Sequence, residues 1–416
     1  EARRINRNQR KVMAITIHQK PQAWTPAYND QWILALSDEI AQPLFKYKVE
    51  VTVYYDLNGT PSNEVFTYYV VPRPDGYLVF NAKEIVKNFV EHFMKPNEFG
   101  IVEAVNESVG VEVVIIETWT GEPGAASATA DYIVWNACLT EKQMFSFSYG
   151  DYISSTVSIR AHSVATLGLL SYPFEKQTFL SDVFIHFVKP STLDSINYKL
   201  IDTNGVDILN DVDLTGSMTN DKIYQINISP QLAEDKWGGV TVGMFIKVEF
   251  LTAANDVLYA YTYEIKELCT KHEVKRLYYL NRRGGVSSFP FELKSTKNVS
   301  KQTNDVKLNR NEIVSNTWTH KPYKHERNVV STQETFSEVL NTNWITKLQS
   351  EYLEELFSSP MVWLVSEEDD YSDPYKFKPV VIADKSYEFK KHENEKLFNY
   401  SVLVEYSTTE TRQRAI

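Results

Sequence analysis

The sequence predicts a mainly β protein: two tandem antiparallel β-sandwich domains over residues 15–138 and 139–270, then a smaller α+β domain over 271–416 with one long helix. Three observations carry this. The chain holds 25 Tyr, 21 Phe and 8 Trp among 416 residues, and aromatic side chains favour pleated, half-buried surfaces. Turn dipeptides punctuate short apolar runs from Ile15 onward. The order of elements that ends on Cys138 recurs in the stretch that ends on Cys269, so residues 15–138 and 145–269 read as two copies of one sandwich.

Residues 1–14 form a basic arm, with Arg3, Arg4, Arg7, Arg10 and Lys11 against Glu1 alone. It reads either as an extension docking on an acidic neighbour or as upstream sequence of little consequence. Met13 opens a normal-looking start, which marks the chain as processed or incomplete.

In the first sandwich, WILALS, FKYKVEVTVYY, EVFTYYVV and YLVFN read as antiparallel strands joined at Asn58-Gly59 and at Pro74-Asp75-Gly76. A helix is expected next, with Asn81 as N-cap, Glu84 completing a capping box, and Ile85, Val86, Phe89, Val90 and Phe93 on one apolar stripe. Two strands, VGVEVVIIETWT and ADYIVWNAC, close the unit around the loop GEPGAASATA. The second sandwich repeats the order with VFIHFVK, INYKLID, a turn at Asn204-Gly205, IYQINIS, a short helix opened by Ser229 and Pro230, and a final strand pair.

The third region begins with LYYLNRRGGVSSFPFEL and crosses a polar stretch, Ser295 to Val330, that reads as poor in strands. One long helix is expected over about Asn343 to Phe357, with Trp344, Leu348, Tyr352, Leu353, Leu356 and Phe357 on its apolar face and Ser359-Pro360 ending it. The strands MVWLV, KPVVIADKSYEF and KLFNYSVLVEYS then suggest a small sheet carrying that helix.

A net charge of −11 argues against general binding of nucleic acid or anionic membranes. Two distant cysteines outside any CxxC pattern fit folding in a reducing cytoplasm, and no segment has the length and apolarity of a membrane span or a secretory leader. Glu367, Glu368, Asp369, Asp370 and Asp373 lack calcium-loop spacing and read as a solvated loop. His320 and His325 have no third ligand nearby. No nucleophile, base or cofactor pattern converges on one site, so no metal, no cofactor and no enzymatic activity is assigned.

What remains is interactive. Trp24 and Tyr28 precede the first strand in a Pro-restricted segment, and Tyr278, Phe289 and Phe291 surround the turn Arg282-Arg283-Gly284-Gly285. Large rigid aromatics anchor interfaces, and the two arginines are suited to carboxylates on a neighbour; the same residues equally serve packing between domains of one chain.

The segments QKPQAWTPAYNDQWILALSDEIAQPLFKYKVEV, LYYLNRRGGVSSFPF and ELFSSPMVWLV…KPVVIADKSYEF…KLFNYSVLVEYS resemble structural tail or connector proteins of Bacteroidota-infecting phages, notably the crAss-like phages. The arm before Met13 is not part of that pattern. The resemblance implies a non-enzymatic virion component assembled in the bacterial cytoplasm, forming a symmetric ring of the tail or neck. Its partners would be copies of itself and neighbouring portal, ring or hub proteins, with genomic DNA passing without specific binding and no membrane involved. The alternatives are a tail-hub or baseplate-like adaptor for fibres or a tail tip, a glycan-binding sandwich at a host surface, and a polysaccharide-degrading enzyme with a carboxylate pair in a cleft.

Overall fold

The computed structural model describes residues 15–145 apart from 58, 97 and 121–125; 176–267 apart from 215–217; 271–366 apart from 309–310 and 324; 373–383 apart from 374; and 397–411. The basic arm, the loop around 121–125, the acidic run 367–370 and Cys269 therefore lie outside the described residues. The chain is mainly β, with 55% strand and 8% helix arranged in several sheets.

The first strands are β1 (Ile15–Gln19), β2 (Trp24–Pro26), β3 (Trp32–Ser37), β4 (Lys46–Leu57), β5 (Thr60–Val70) and β6 (Leu78–Asn81), followed by helix α1 (Lys83–Val86). Then come β7 (Gly100–Glu103), β8 (Ser108–Thr118), β9 (Ser127–Trp135) and α2 (Glu141–Phe145). Next are β10 (Lys176–Thr178), β11 (Phe184–Val188), β12 (Ser195–Ile201), β13 (Asp207–Leu214), β14 (Ile223–Asn227), α3 (Pro230–Trp237), β15 (Phe245–Leu251) and β16 (Val257–Lys266). The remainder holds β17 (Lys275–Leu280), β18 (Val286–Phe291), β19 (Leu293–Lys307), β20 (Asn311–Val314), β21 (Thr317–His320), β22 (Arg327–Asn341) and β23 (Ile345–Thr346). Helix α4 (Lys347–Phe357), β24 (Val362–Ser366), β25 (Lys378–Ile382), β26 (Leu397–Phe398), β27 (Ser401–Tyr406) and β28 (Glu410–Thr411) complete it.

Two compact units result. Of the described residues, the first takes in those within 15–145, 182–264 and 281–286, and the second those within 176–181, 265–280 and 287–411.

In the first unit, a sheet ordered β2-β9-β8-β4-β5 faces a smaller one ordered β1-β3-β6. Tyr47, Val49, Val51 and Val53 of β4 alternate inward beside Val109, Val111, Val113 and Ile115 of β8, and they meet Ile33 and Ala35 of β3 and Leu78 of β6 in one core. Each such side chain contributes about 1.5–3 kcal/mol by leaving water. Farther along the chain, β16-β15-β12-β13 run in the order of β9-β8-β4-β5, and β11-β14-β7 form a second small sheet. The long strand, its hairpin partner and the last two strands thus occupy the same places in both sets. The small sheets differ: β1 lies beside β3 in one, while β7, which precedes β8 in the chain, pairs antiparallel with β14 in the other.

Three local expectations change. Helix α1 is a single turn whose N-cap is Ala82, without a side-chain cap. Asn81 still ends in β6, where its Oδ1 accepts the backbone N–H groups of Gln31 and Lys83, so it serves the strand crossing as well as the turn. The apolar stripe survives this shortening: Val86 and Val90 are buried, and Ile85 and Phe89 pack on the same core. The Ser229-Pro230 opening of α3 is present as read, with Pro230 in the first turn.

In the second unit, one sheet is ordered β18-β17-β24-β25-β27-β22-β19, with β28 beside β22. Helix α4 begins at Lys347, four residues later than expected, and Trp344 lies before it, 61% exposed; Leu353 and Leu356 are fully buried as foreseen. The stretch expected to be poor in strands is instead the longest hairpin in the described chain. β19 and β22 pair antiparallel from Leu293↔Asn341 to Lys307↔Arg327, and β20 pairs with β21 beyond them.

Candidate functional site

Three places in the described residues bear on function, each within one unit.

The first is the turn between β17 and β18. Asn281 closes it twice: its backbone N–H donates to Gly285 O, and its Oδ1 accepts the N–H of Arg283. Gly284 sits at φ +103°, and a Cβ there would stand 2.4 Å from the carbonyl oxygen of Asn136. Glycine is therefore required by both backbone angle and space. Around it, the Trp135 indole donates to Arg283 O at 2.7 Å and Cys138 N–H donates to Arg282 O at 2.9 Å. Two residues on, Val286 N–H donates to Nδ1 of His186, whose Nε2 faces Phe93 O at 3.2 Å. His186 is fully buried, and burial pulls its imidazole down to about 4. The turn is a structural clamp that keeps a neutral histidine in place.

The second is an open groove of about 720 Å³ beside the β4–β5 hairpin. Tyr54, Asp56, Glu103, Val105, Asp221 and Lys222 line it. Asn106 braces its wall by accepting Asp56 N–H and donating to Asp56 O. Two of its carboxylates are engaged: Asp56 accepts the N–H of Gly59 within the hairpin turn, and Glu103 faces Lys222 at 3.6 Å. The groove abuts β5, an eleven-residue strand at the end of its sheet order whose sole charge is Glu64. Val65, Tyr68 and Tyr69 of β5 are exposed.

The third is the hairpin of the second unit. Only part of β22 has a second neighbour, with 337–341 on β27 and 333–334 on β28. Beyond them the hairpin continues as a two-stranded ribbon, and none of the described residues from 294 to 330 is buried. Arg327 holds Asp305 across the strands through Nε at 2.5 Å and Nη2 at 2.8 Å, and Lys321 pairs with Glu312 near the tip. Ser315 and Asn316, at φ +50° and +65°, make the tight two-residue turn. Trp318, 64% exposed, and Tyr323, 75% exposed, mark that end.

The residues singled out from sequence do not gather at one place. Arg3, Arg4, Arg7 and Arg10 lie outside the described residues. Trp24 is buried against Trp135 at 6.0 Å between ring centres. Tyr278 is buried edge-on to Phe377, and Phe289 packs edge-on to Phe291, so these aromatics serve packing within the chain. Arg283 is buried and Arg282 half-buried. Tyr28, at 39% exposure, is the candidate aromatic that reaches solvent. Sequence reasoning missed the β5 edge, Trp318 and Tyr323; the available signal was a run of strand-favouring residues in β5 with almost no charge, and a Ser-Asn pair in place of the usual Asn-Gly turn.

Among the described residues no group of three or more His, Cys, Asp or Glu is placed to hold a metal ion. No helix there is long and apolar enough to cross a membrane. No protein-family model and no curated protein matches the sequence. Among solved structures, a Salmonella alpha-2-macroglobulin reacted with methylamine aligns over 94% of this chain at 6% identity and a TM-score of 0.21. The chain spans about 23% of that protein's length, and a likeness this slight carries no argument about fold or role.

Proposed function

We propose that this chain is a non-enzymatic structural protein of a phage virion that assembles with copies of itself into a closed ring of the tail or the portal-proximal neck. Its described first unit reads as two copies of one sandwich, followed by an α+β interaction domain. The observation that carries the reading is the β5 edge. Monomeric proteins guard free edges with lysine, proline or brevity. β5 has eleven residues, Pro61 near its start, one carboxylate, no cation, and exposed Val65 and Tyr69. An unguarded edge of that length suits a permanent neighbour, and an edge that joins a different surface on the next copy generates a ring when the rotation closes.

The resemblance to crAss-like tail and connector proteins supports the same reading, as does the total charge of −11. A bore lined by cations would hold every passing phosphate, whereas a neutral or acidic wall lets DNA slide. The ring's other neighbours would be portal, ring or hub proteins, and its place the virion, after assembly in the host cytoplasm. Cryo-electron microscopy of the purified protein tests this. Rotational symmetry with Asp and Glu facing the bore is the expected result; a monomer at all concentrations, or a bore lined mainly by Lys and Arg, removes the proposal.

A further inference from the structure

The long hairpin of the second unit is a charged arm without a counterpart. Residues 294–328 carry eight Lys and Arg against three Asp and Glu, a net +5, in a chain whose total is −11; the rest of the chain carries −16. We infer that this arm docks on the acidic surface of a second copy of the chain. The inference rests on the self-assembly proposed above and adds to it the element that does the reaching.

Three observations bear on it. First, an isolated two-stranded ribbon is marginal in water. This one leaves the sheet beyond Gln333 and runs on through Arg327–Thr332 of β22, the facing end of β19 and the β20–β21 hairpin with no third strand among the described residues. Second, it exposes apolar groups along its length: Val299, Val306, Ile313, Trp318 and Tyr323 all face solvent. Such groups are desolvated by a protein surface far better than by a phosphate backbone. Third, some of its cations are already matched and others are free to seek a partner. Arg327 is held by Asp305 and Lys321 by Glu312, while Lys297 lies over the rings of Phe336 and Tyr406. Lys301 and Lys307 are exposed and make no ion pair or hydrogen bond among the described residues, although Lys307 stands near enough to Asp305 to help hold its carboxyl below the usual range.

These two lysines lie six residues apart on β19, with an irregularity of the ladder at Asn304–Asp305 between them and Val299 preceding them. A ribbon that offers cations and apolar groups together fits an acidic protein face. Complementary charge would steer the encounter and set the register, and the apolar tip would hold it. Nucleic acid is the competing ligand for a basic arm, and it is disfavoured by the −16 carried by the rest of the same chain.

The test uses the full chain and two double variants, Lys301→Glu with Lys307→Glu, and Trp318→Ser with Tyr323→Ser. Self-association is followed by sedimentation velocity at about 50 mM and about 500 mM salt, where screening lengths differ several-fold. Thermal melting is recorded alongside. The expected result is self-association of the wild type that weakens with salt, a loss of about tenfold or more in association for each variant, and unchanged melting. Variants that assemble like the wild type sink the arm proposal and leave the ring reading standing. A wild type that stays monomeric at both salts sinks both. Binding of a fluorescent 30-base-pair duplex that the lysine variant abolishes would assign the arm to nucleic acid and overturn the inference.

Discussion

The β4–β8 sheet of the first unit and the β19–β22 hairpin of the second are both long antiparallel ladders, yet they obey different rules. In β4 and β8 every second residue is apolar and buried, so the ladder is pinned to a core and its register has one solution. In β19 the pattern is Lys, Ser, Thr, Asn and Gln with scattered Val, and that strand faces water for nearly its whole length. Backbone pairing and cross-strand ion pairs hold it, rather than burial. One ladder is anchored by burial; the other is not.

The largest contrast comes from the same substitution in both. Val111→Asp places a carboxylate in the closed core of the first unit, which costs roughly 4–5 kcal/mol and leaves little folded protein by circular dichroism. Val299→Asp, on the exposed ribbon, leaves the melting temperature of the monomer nearly unchanged. If both variants melt alike, the distinction between the two ladders is wrong.

Gly284→Ala comes next. A methyl group 2.4 Å from Asn136 O, on a backbone at φ +103°, costs about 3 kcal/mol in urea unfolding and acts on the first unit alone. A wild-type midpoint would show that the clamp is slack.

The buried His186 gives a pH dependence. Its imidazole is held at about 4 in the fold against 6.5 in the unfolded chain. The stabilisation is whole above pH 6.5 and falls as acid protonates the unfolded chain first, by about 3 kcal/mol in all once pH 4 is reached. His186→Gln should flatten unfolding free energy over that window; an unchanged slope would place the acid sensitivity elsewhere.

Glu107 works in the opposite sense. Neither carboxylate oxygen has a partner among the described residues, and burial pushes the group well above the usual carboxylate range. Stability is therefore whole at acid pH and falls as pH rises past the unfolded value near 4.5. Glu107→Gln should gain about 1 kcal/mol at pH 7, and a loss would mean that an unseen partner exists.

How much was legible follows from the same contrast. The strands of the first unit could be read because β4 and β8 alternate apolar and polar residues, and the turns at Gly59 and Gly205 announce themselves. The matching order in the second half was legible for the same reason. The ribbon was not, since alternation is a signature of one-sided burial and a strand wet on both faces has none to show. Helix α1 misled because Ile85, Val86, Phe89 and Val90 reach one core through a single helical turn followed by turns and irregular chain, a spacing that mimics a longer helix. The candidate aromatics were legible as important and illegible as to where: Tyr278, Phe289 and Phe291 are rigid and apolar whether they anchor an interface or fill a core. The β5 edge was read correctly as a strand, but which strand ends a sheet depends on long-range pairing that local pattern does not encode.

The crossing of β7 has a consequence for how such a chain can change over generations. Gly100–Glu103 belong by position to the first half, yet they pair with β14 of the second. A recombination event that exchanged residues 15–138 as a cassette would carry away a strand the remaining half depends on, and would leave the edge of β14 bare. Substitution, position by position, is the route that stays open.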